Sequence, residues 1–451
     1  MSEPIDRRNF LKAGSAVAAG GVLLLLSGCT SAATAGATST AAAGSGAGAV
    51  MPDQLVYSYW GSSLVDANIR ALADAFDKKM PPTNLIPQNT PWANFWTKLS
   101  TEMAAGKGPD AFQMSNQLIM SYSNRDSLYD FERFVGSTIK LEDWDKNLRD
   151  YGVIEGKRVG IPISTDAFTA LYNVDWIKKA GVTMPTKGWT WTELAEVARE
   201  AAKAGGRGTW GMSDGSGNYE VVEAWMRGLG KSWFTDVGTD HVSLGFSRDE
   251  FGDFLNWWAK GRRNGSVAPA DVSVQDGLGD PTSSIVKGLT PIFFTSTSEL
   301  EPIRALTKAR IQPAPMPDQA HEGTKRANFV RPNLFISSPK TTEHPDAVAK
   351  LINFWINNPD AVRAMGFSQG VPPSPASAAL LKTVQPDHLL TAPEYLALVR
   401  EIGGPMDSLT PNGGRDVYSL LTSVASQVQF GQITVSQAVD NFFGQAPALL
   451  E

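Results

Sequence analysis

Short runs of continuous apolar residues alternate along this chain with longer stretches whose apolar positions recur every three or four residues. Leu55-Val56-Tyr57-Ser58-Tyr59-Trp60, stopped by Gly61, is of the first kind and predicts a strand. Ile69, Leu72, Ala73 and Phe76 then fall at i, i+3, i+4 and i+7, one stripe of a helix. Asn84-Leu85-Ile86-Pro87 predicts a second strand. Thr90-Pro91 opens a helix with Phe95, Leu99 and Met103 inward, the proline supplying its preset φ at the first helical position. Ala111-Phe112-Gln113-Met114 predicts a third strand. Strand–helix alternation of this kind predicts an α/β fold, a parallel sheet with helices on both faces. Ligands in such sheets sit beyond the carboxyl ends of the strands. That rule singles out Trp60 with Ser62, Asn89, and Ser115 with Asn116 as candidate site edges.

A second α/β block begins after Val159-Gly160-Ile161-Pro162. Thr190-Trp191-Thr192-Glu193 is a capping box that starts a helix with Leu194, Val197, Ala198 and Ala201 inward and Gly205 as its stop. Gly208-Thr209-Trp210-Gly211-Met212 and Pro291-Ile292-Phe293-Phe294-Thr295 predict further strands. Val348, Leu351, Ile352 and Trp355 form another helical stripe, and Asn358-Pro359 caps a short helix running to Gly366. The sequence contains no internal repeat.

The first fifty residues follow neither rhythm. Asp6-Arg7-Arg8-Asn9-Phe10-Leu11-Lys12 resembles the twin-arginine export signal, and an Ala/Gly-rich apolar run follows from Ala13 to Leu26, suited to a signal core and too short to span a membrane stably. Leu26-Ser27-Gly28-Cys29 resembles the lipobox of bacterial lipoproteins, in which the cysteine sulfur takes up diacylglycerol. Residues 1–28 are therefore expected to be a removed signal peptide, and Cys29 the lipidated N-terminus of what remains. Several acyl chains, at about 0.8 kcal/mol per buried CH₂, hold a protein on a membrane far more firmly than one. Residues 29–52 are almost wholly uncharged Ala, Ser, Thr and Gly, expected to act as a flexible tether reaching about 25 Å. The run Gly44-Ser45-Gly46-Ala47-Gly48 is part of it, not a phosphate loop, because no strand precedes it.

Composition narrows the picture. A chain of 451 residues exceeds one compact core, so two lobes are expected. The net charge of −6 becomes −7 once the three basic and two acidic residues of positions 1–28 are removed, which argues against a nucleic-acid partner. Thirteen tryptophans are many for this length; most are expected in the core, and the remainder could line a site. The single cysteine excludes an intramolecular disulfide.

Catalytic patterns are sparse. His241, His321, His344 and His388 lie far apart, without metal-ligand spacing. Gly211-Met212-Ser213-Asp214-Gly215 fits the G-x-S-x-G nucleophile elbow, but the elbow needs a helix directly after the serine, and Gly215-Ser216-Gly217-Asn218 continues as loop. Glu142-Asp143-Trp144-Asp145 reads as a solvated helix start, not a pair of glycosidase carboxylates. No metal, cofactor or catalytic activity is expected.

Several segments in order carry a resemblance: Tyr59-Trp60-Gly61; Gly106-Lys107-Gly108-Pro109-Asp110; Glu155-Gly156-Lys157-Arg158-Val159-Gly160-Ile161-Pro162; Tyr172-Asn173; Ala180-Gly181-Val182; Gly188-Trp189-Thr190-Trp191-Thr192-Glu193; Ser337-Ser338-Pro339-Lys340; and Gly370-Val371-Pro372-Pro373. Over residues 53–450 or so, the chain resembles the extracellular solute-binding proteins of ABC importers, the family that includes maltose-binding protein. The resemblance implies two lobes, each with a mainly parallel sheet flanked by helices, that close on a ligand about a hinge. It assigns residues 53–164 and 335–370 to the N-terminal lobe and 165–334 and 371–451 to the C-terminal lobe. Crossings fall near Ile163–Asp166, Arg331–Phe335 and Gly370–Ser374. It places Asp166 at an acidic sugar contact, Tyr219 beside Asn218 at an aromatic platform, and Ser115, Asn116 and Trp92 in contact regions. Ser296 and Arg331 complete the expected set. One departure is that Thr297-Ser298 stands where the family often carries a tryptophan, which leaves sugars other than long glucose chains open.

The implied function is a lipid-anchored receptor on the outer face of the cell membrane, delivering a mono- or oligosaccharide to permease subunits. A sugar offers an apolar face and a rim of hydroxyls, which flat aromatics and polar fork partners suit. Other readings stay open at this point: the same fold binding a polyamine, phosphodiester or peptide; a secreted carbohydrate hydrolase or esterase; and a surface adhesion role.

Overall fold

A computed structural model describes residues 52–184, 187–320, 327–381 and 389–450; the expected signal peptide, Cys29 and nearly all of the tether lie outside the described residues, as do His321 and His388. The strands that carry the fold are, in chain order, β1 (Gln54–Tyr59), β2 (Asn84–Asn89), β3 (Ala111–Ser115), β4 (Ile161–Pro162), β5 (Thr165–Asp166), β6 (Phe168–Asn173), β7 (Ile292–Ser296), β8 (Ile311–Ala314), β9 (Arg331–Pro332) and β10 (Leu334–Ser337). The helices that bear on the site are α1 (Ser63–Lys79), α2 (Trp92–Ala104), α3 (Trp191–Gly205), α4 (Tyr219–Gly228), α5 (Ala270–Asp276), α6 (Pro345–Asn357) and α7 (Gly414–Gln429).

The stripe read from the sequence, Ile69, Leu72, Ala73 and Phe76, is the buried face of α1, which Val65 extends by one turn. Thr190 and Glu193 form the expected reciprocal cap at the start of α3. At α2, Pro91 is the capping residue just outside the helix and not its first residue. That helix also buries Trp96 beside Phe95 and Leu99.

The first lobe is built on a five-stranded sheet in the order β2-β1-β3-β10-β4. β1 runs parallel to β2 and β3, as expected, whereas β10 is antiparallel to both β3 and β4. The second lobe departs further from a mainly parallel sheet, since β7-β6-β8 is antiparallel throughout. The cause is the route of the chain. β6 leaves the hinge, and β7 returns to it, so that Thr297 N donates to Ala167 O at 3.0 Å. Apolar runs do not reveal that direction. Residues 208–212 were expected as a strand, yet only Met212 makes a bridge, to Val267. A Cβ at Gly211 would stand 1.8 Å from the carbonyl oxygen of Ala198, so this backbone is pressed against α3.

The three expected crossings meet. Arg331 pairs with Asp166 and Pro332 with Thr165 in the β5–β9 ladder. Thr165 N donates to Val371 O at 2.7 Å, and Val371 N returns a bond to Thr165 O at 3.0 Å. Gly370 makes this approach possible: its φ is +108°, and a Cβ there would lie 2.9 Å from Thr165 O.

Each lobe has its own core. Tyr57, Phe76, Ile336, Ile352 and Trp355 belong to the first; Trp189, Leu194, Trp225, Phe254 and Trp258 belong to the second. Eight of the thirteen tryptophans are buried, and Trp60, Trp176, Trp210 and Trp257 are half-buried. Among the described residues Trp92 alone of them is exposed, at 38%.

Candidate functional site

Strands β1 and β2 end side by side, with Tyr59 opposite Asn89. Thr90 N donates to Tyr59 O at 2.9 Å and Asn89 Nδ2 to Gly61 O at 3.4 Å. This register sets Trp60 just beyond β1 and Trp92 in the first turn of α2. Their rings meet edge to face at 4.8 Å, and Phe95 and Trp96 close on Trp60 at 4.9 and 5.2 Å. Trp60 therefore wedges the corner from within, while Trp92 presents a face outward. Ser62 Oγ accepts from Val65 N at 3.4 Å and so caps α1.

The facing wall belongs to α4. Asn218 caps it, Oδ1 accepting from Glu220 N at 2.9 Å. Tyr219 stacks on Tyr418 of α7, with centroids 4.3 Å apart and planes 20° from parallel. Trp233 Nε1 fixes this turn by donating to Tyr219 O at 2.9 Å. From β9, Arg331 donates Nη1 to Glu223 Oε2 at 2.9 Å and Nη2 to Tyr219 OH at 3.3 Å, and it pairs closely with Glu220. Burial pushes the Glu220 carboxyl up to about 7; Arg331 pulls it down, and the charges of Asp166 and Glu223 push it up.

Between Trp92 and this wall lies a cavity of about 640 Å³. The second lobe contributes the Ser213–Glu220 segment, α5, the aromatic pair Phe293 and Phe294 of β7, and Thr422, Ser426 and Gln429 of α7. The guanidinium of Arg415 lies 5.6 Å over the Trp92 ring. Asp214 pairs closely with Arg262, whose Nη1 also donates to Ser216 Oγ at 3.3 Å. Asp276 accepts from Ser284 N at 2.5 Å and Ser284 Oγ at 3.2 Å. Burial raises the Asp276 carboxyl to about 6 against those bonds, with Asp214 adding in the same direction.

A larger chamber of about 920 Å³ is lined by Lys146, Tyr151, Asp240, Ser408 and Asn412, among others. Its one aromatic ring, Tyr151, is stacked on Phe335 at 6.2 Å. Asn116, Arg331 and Tyr418 line a small pocket of about 80 Å³. An outward aromatic face together with convergent polar groups is found in the Trp92 cavity, which is the better-equipped candidate despite its smaller volume.

Of the residues expected at the site, Trp92, Asn218 and Tyr219 line this cavity, with Trp60 behind Trp92. Asp166 does not. It is buried at the hinge, where Oδ1 accepts from Ala167 N at 2.8 Å, Ser298 N at 3.3 Å and the Thr297 hydroxyl. Oδ2 accepts from Ser298 Oγ at 3.1 Å and Asn333 Nδ2 at 3.2 Å. Five donors occupy it, and Arg331 is likewise engaged by two carboxylates. Ser115 is buried, Oγ accepting from Gln117 N at 3.2 Å. Asn89, at the end of β2, donates to Gly61 beyond the end of β1, and Ser296 ends β7 opposite Phe168; neither lines any of these cavities. Ser213 is buried and accepts from Phe294 N at 3.3 Å, and loop follows it as far as Asn218.

Glu220, Asp276, Arg415 and Tyr418 were not read from the sequence. A signal existed for the first: Glu220 and Glu223 stand three apart in the otherwise apolar Tyr219–Met226 run, so the face they share is buried and needs a cation. Nothing local marks Asp276 or Arg415, which fold from distant segments.

The sequence profile described as bacterial extracellular solute-binding protein matches residues 71–392, and a twin-arginine translocation signal profile matches residues 4–23. A protein of Brucella abortus described as a binding protein is 26% identical over 129 residues, 29% of this chain; the match spans 30% of that relative's length. Among solved structures, an extracellular solute-binding protein family 1 member from Alicyclobacillus acidocaldarius aligns with TM-score 0.63 at 26% identity, covering 88% of this chain and 98% of the other. A periplasmic solute-binding protein of Pectobacterium atrosepticum aligns with TM-score 0.74 at 21% identity, covering 88% and 99%. A periplasmic oligogalacturonide-binding protein of Yersinia enterocolitica, in complex with saturated digalacturonic acid, aligns with TM-score 0.74 at 21% identity, covering 88% and 98%.

Proposed function

This chain belongs to the bacterial extracellular solute-binding protein family, and from that premise we propose that it captures a carbohydrate in the Trp92–Tyr219 cavity and delivers it to the permease of an ABC importer. Members of the family are binding proteins and not enzymes, and the export signal places the mature chain outside the cytoplasm. In this proposal Cys29 carries the lipid anchor, and the lobes, divided at 164/165, 334/335 and 370/371, close about the ligand.

The observation that carries the reading is the exposed Trp92, the one tryptophan in the exposed class among the described residues, turned toward a wall of hydroxyl, amide and carboxylate groups. The pairing suits a pyranose, whose CH face stacks on an indole while its hydroxyls reach polar partners. At about 640 Å³ the cavity falls within the range of small-molecule sites. The fold itself accommodates saccharides, as the digalacturonic acid complex of the Yersinia protein and a cycloalternan complex of a Listeria monocytogenes substrate-binding protein illustrate.

Calorimetric titration with mono- and oligosaccharides tests the proposal. At least one should bind, and Trp92→Ala should weaken it by roughly 2- to 12-fold, the 0.5–1.5 kcal/mol of an aromatic contact. Unchanged affinity in Trp92→Ala would remove this cavity from the binding site.

A further inference from the structure

Three carboxylates line the Trp92–Tyr219 cavity: Asp214, Glu220 and Asp276. Two are matched, Asp214 by Arg262 and Glu220 by Arg331. Asp276 has no ion pair among the described residues. Its oxygens take one bond each, both from Ser284, although a carboxylate has room for about four. The charge nearest in effect is another acid, Asp214.

The surroundings do not compensate. Asp166 and Glu223 add negative charge beside Glu220, and Glu299 shares a hydrogen bond with Asp280 close by. The guanidiniums facing this acidic wall are already committed: Arg331 to two carboxylates, Arg262 to Asp214 and Arg227 to Asp407. Arg415 is in no ion pair among the described residues, and it rests over Trp92. Arg415 does not line the cavity, so its cation meets the Trp92 indole outside the space left for a ligand, and shows that this ring accepts one.

We propose that the solute carries a protonated amine, which pairs with Asp276 while its ring system stacks on Trp92, so that the captured carbohydrate is an amino sugar or an oligomer containing one. The inference rests on the Trp92–Tyr219 cavity being the binding site. An ammonium supplies what Asp276 lacks, and the aromatic faces favour it further. A uronate would meet three carboxylates in a cavity that no arginine or lysine lines among the described residues.

The test is calorimetric titration of the exported protein with chitobiose (the glucosamine dimer), N,N′-diacetylchitobiose, cellobiose, digalacturonate and spermidine, at low and high salt. Chitobiose should bind at least about tenfold tighter than its acetylated form and cellobiose, as one charge-assisted bond to a desolvated carboxylate implies. That preference should shrink with salt and collapse in Asp276→Asn, which keeps the side-chain volume; its unfolding midpoint checks that it is folded. The salt dependence of the wild type provides a reading that needs no variant. Equal or tighter binding of cellobiose, tighter binding of digalacturonate, or an amine preference that survives Asp276→Asn overturns the inference. If neutral sugars bind without amine preference, the carbohydrate site stands and this inference falls. If spermidine binds and no sugar does, the ligand is a non-sugar amine, and both this inference and the carbohydrate reading fall. Binding of no probe overturns the inference.

Discussion

Asp166 and Arg331 face each other across the β5–β9 ladder, yet their side chains serve different partners. The carboxylate gathers Thr297, Ser298 and Asn333, and the guanidinium gathers Glu220 and Glu223. The hinge is therefore fastened twice, once on the side of β7 and once on the side of α4.

Asp166→Ala removes one acceptor and strands several buried donors, each costing about 1–3 kcal/mol when unmet. It should lower unfolding free energy by about 3 kcal/mol or more in denaturant titration. Near-wild-type stability with lost ligand affinity would instead make Asp166 a ligand contact.

Arg331→Ala leaves Glu220 and Glu223 buried without their cation. A loss of about 3–5 kcal/mol is expected, as for other buried pairs broken on one side. The double variant Arg331→Met with Glu220→Gln should recover part of it, because fewer unpaired charges remain.

The raised Glu220 carboxyl gives stability a pH dependence of defined sign. Its folded value of about 7 lies above the ordinary unfolded value near 4.3, so between them the folded state holds the extra proton. Stability is therefore greatest on the acid side of that window and falls as pH rises through it. Burial and the neighbouring Asp280 raise Glu299 in the same sense. Glu220→Gln should flatten the decline between about pH 5 and 7 without abolishing it; an unchanged slope would show that Glu220 does not titrate there.

How much of this was legible beforehand follows from the range of each signal. The α1 stripe, the capping box at Thr190 and the approach of the three crossings depend on residues close in sequence or on an ordered set of short motifs, and they were readable. Strand direction in the second lobe was not, because β6 and β7 are separated by a long excursion and apolar runs carry no polarity. Asp166 was expected at the ligand because of where it falls in the chain; what occupies it is Thr297, Ser298 and Asn333, brought in from far along the sequence. Trp92 was readable as a candidate, but not that it would be the exposed tryptophan, which depends on how the other rings pack.

Membrane attachment has its own test. Cys29→Ala should release the protein from membranes or leave its precursor unprocessed, as read from fractionation and mass spectrometry. A variant that matures and sediments with membranes like the wild type would contradict the anchor.

The central claim, that the Trp92–Tyr219 cavity takes a carbohydrate, is tested most directly by thermal unfolding of the exported protein across a panel of neutral and amino mono- and oligosaccharides. A ligand at 100 times its Kd should stabilise the protein by about 2.7 kcal/mol, and the same concentration should do measurably less for Trp92→Ala. No shift with any carbohydrate, or a full shift retained in Trp92→Ala, would contradict the account.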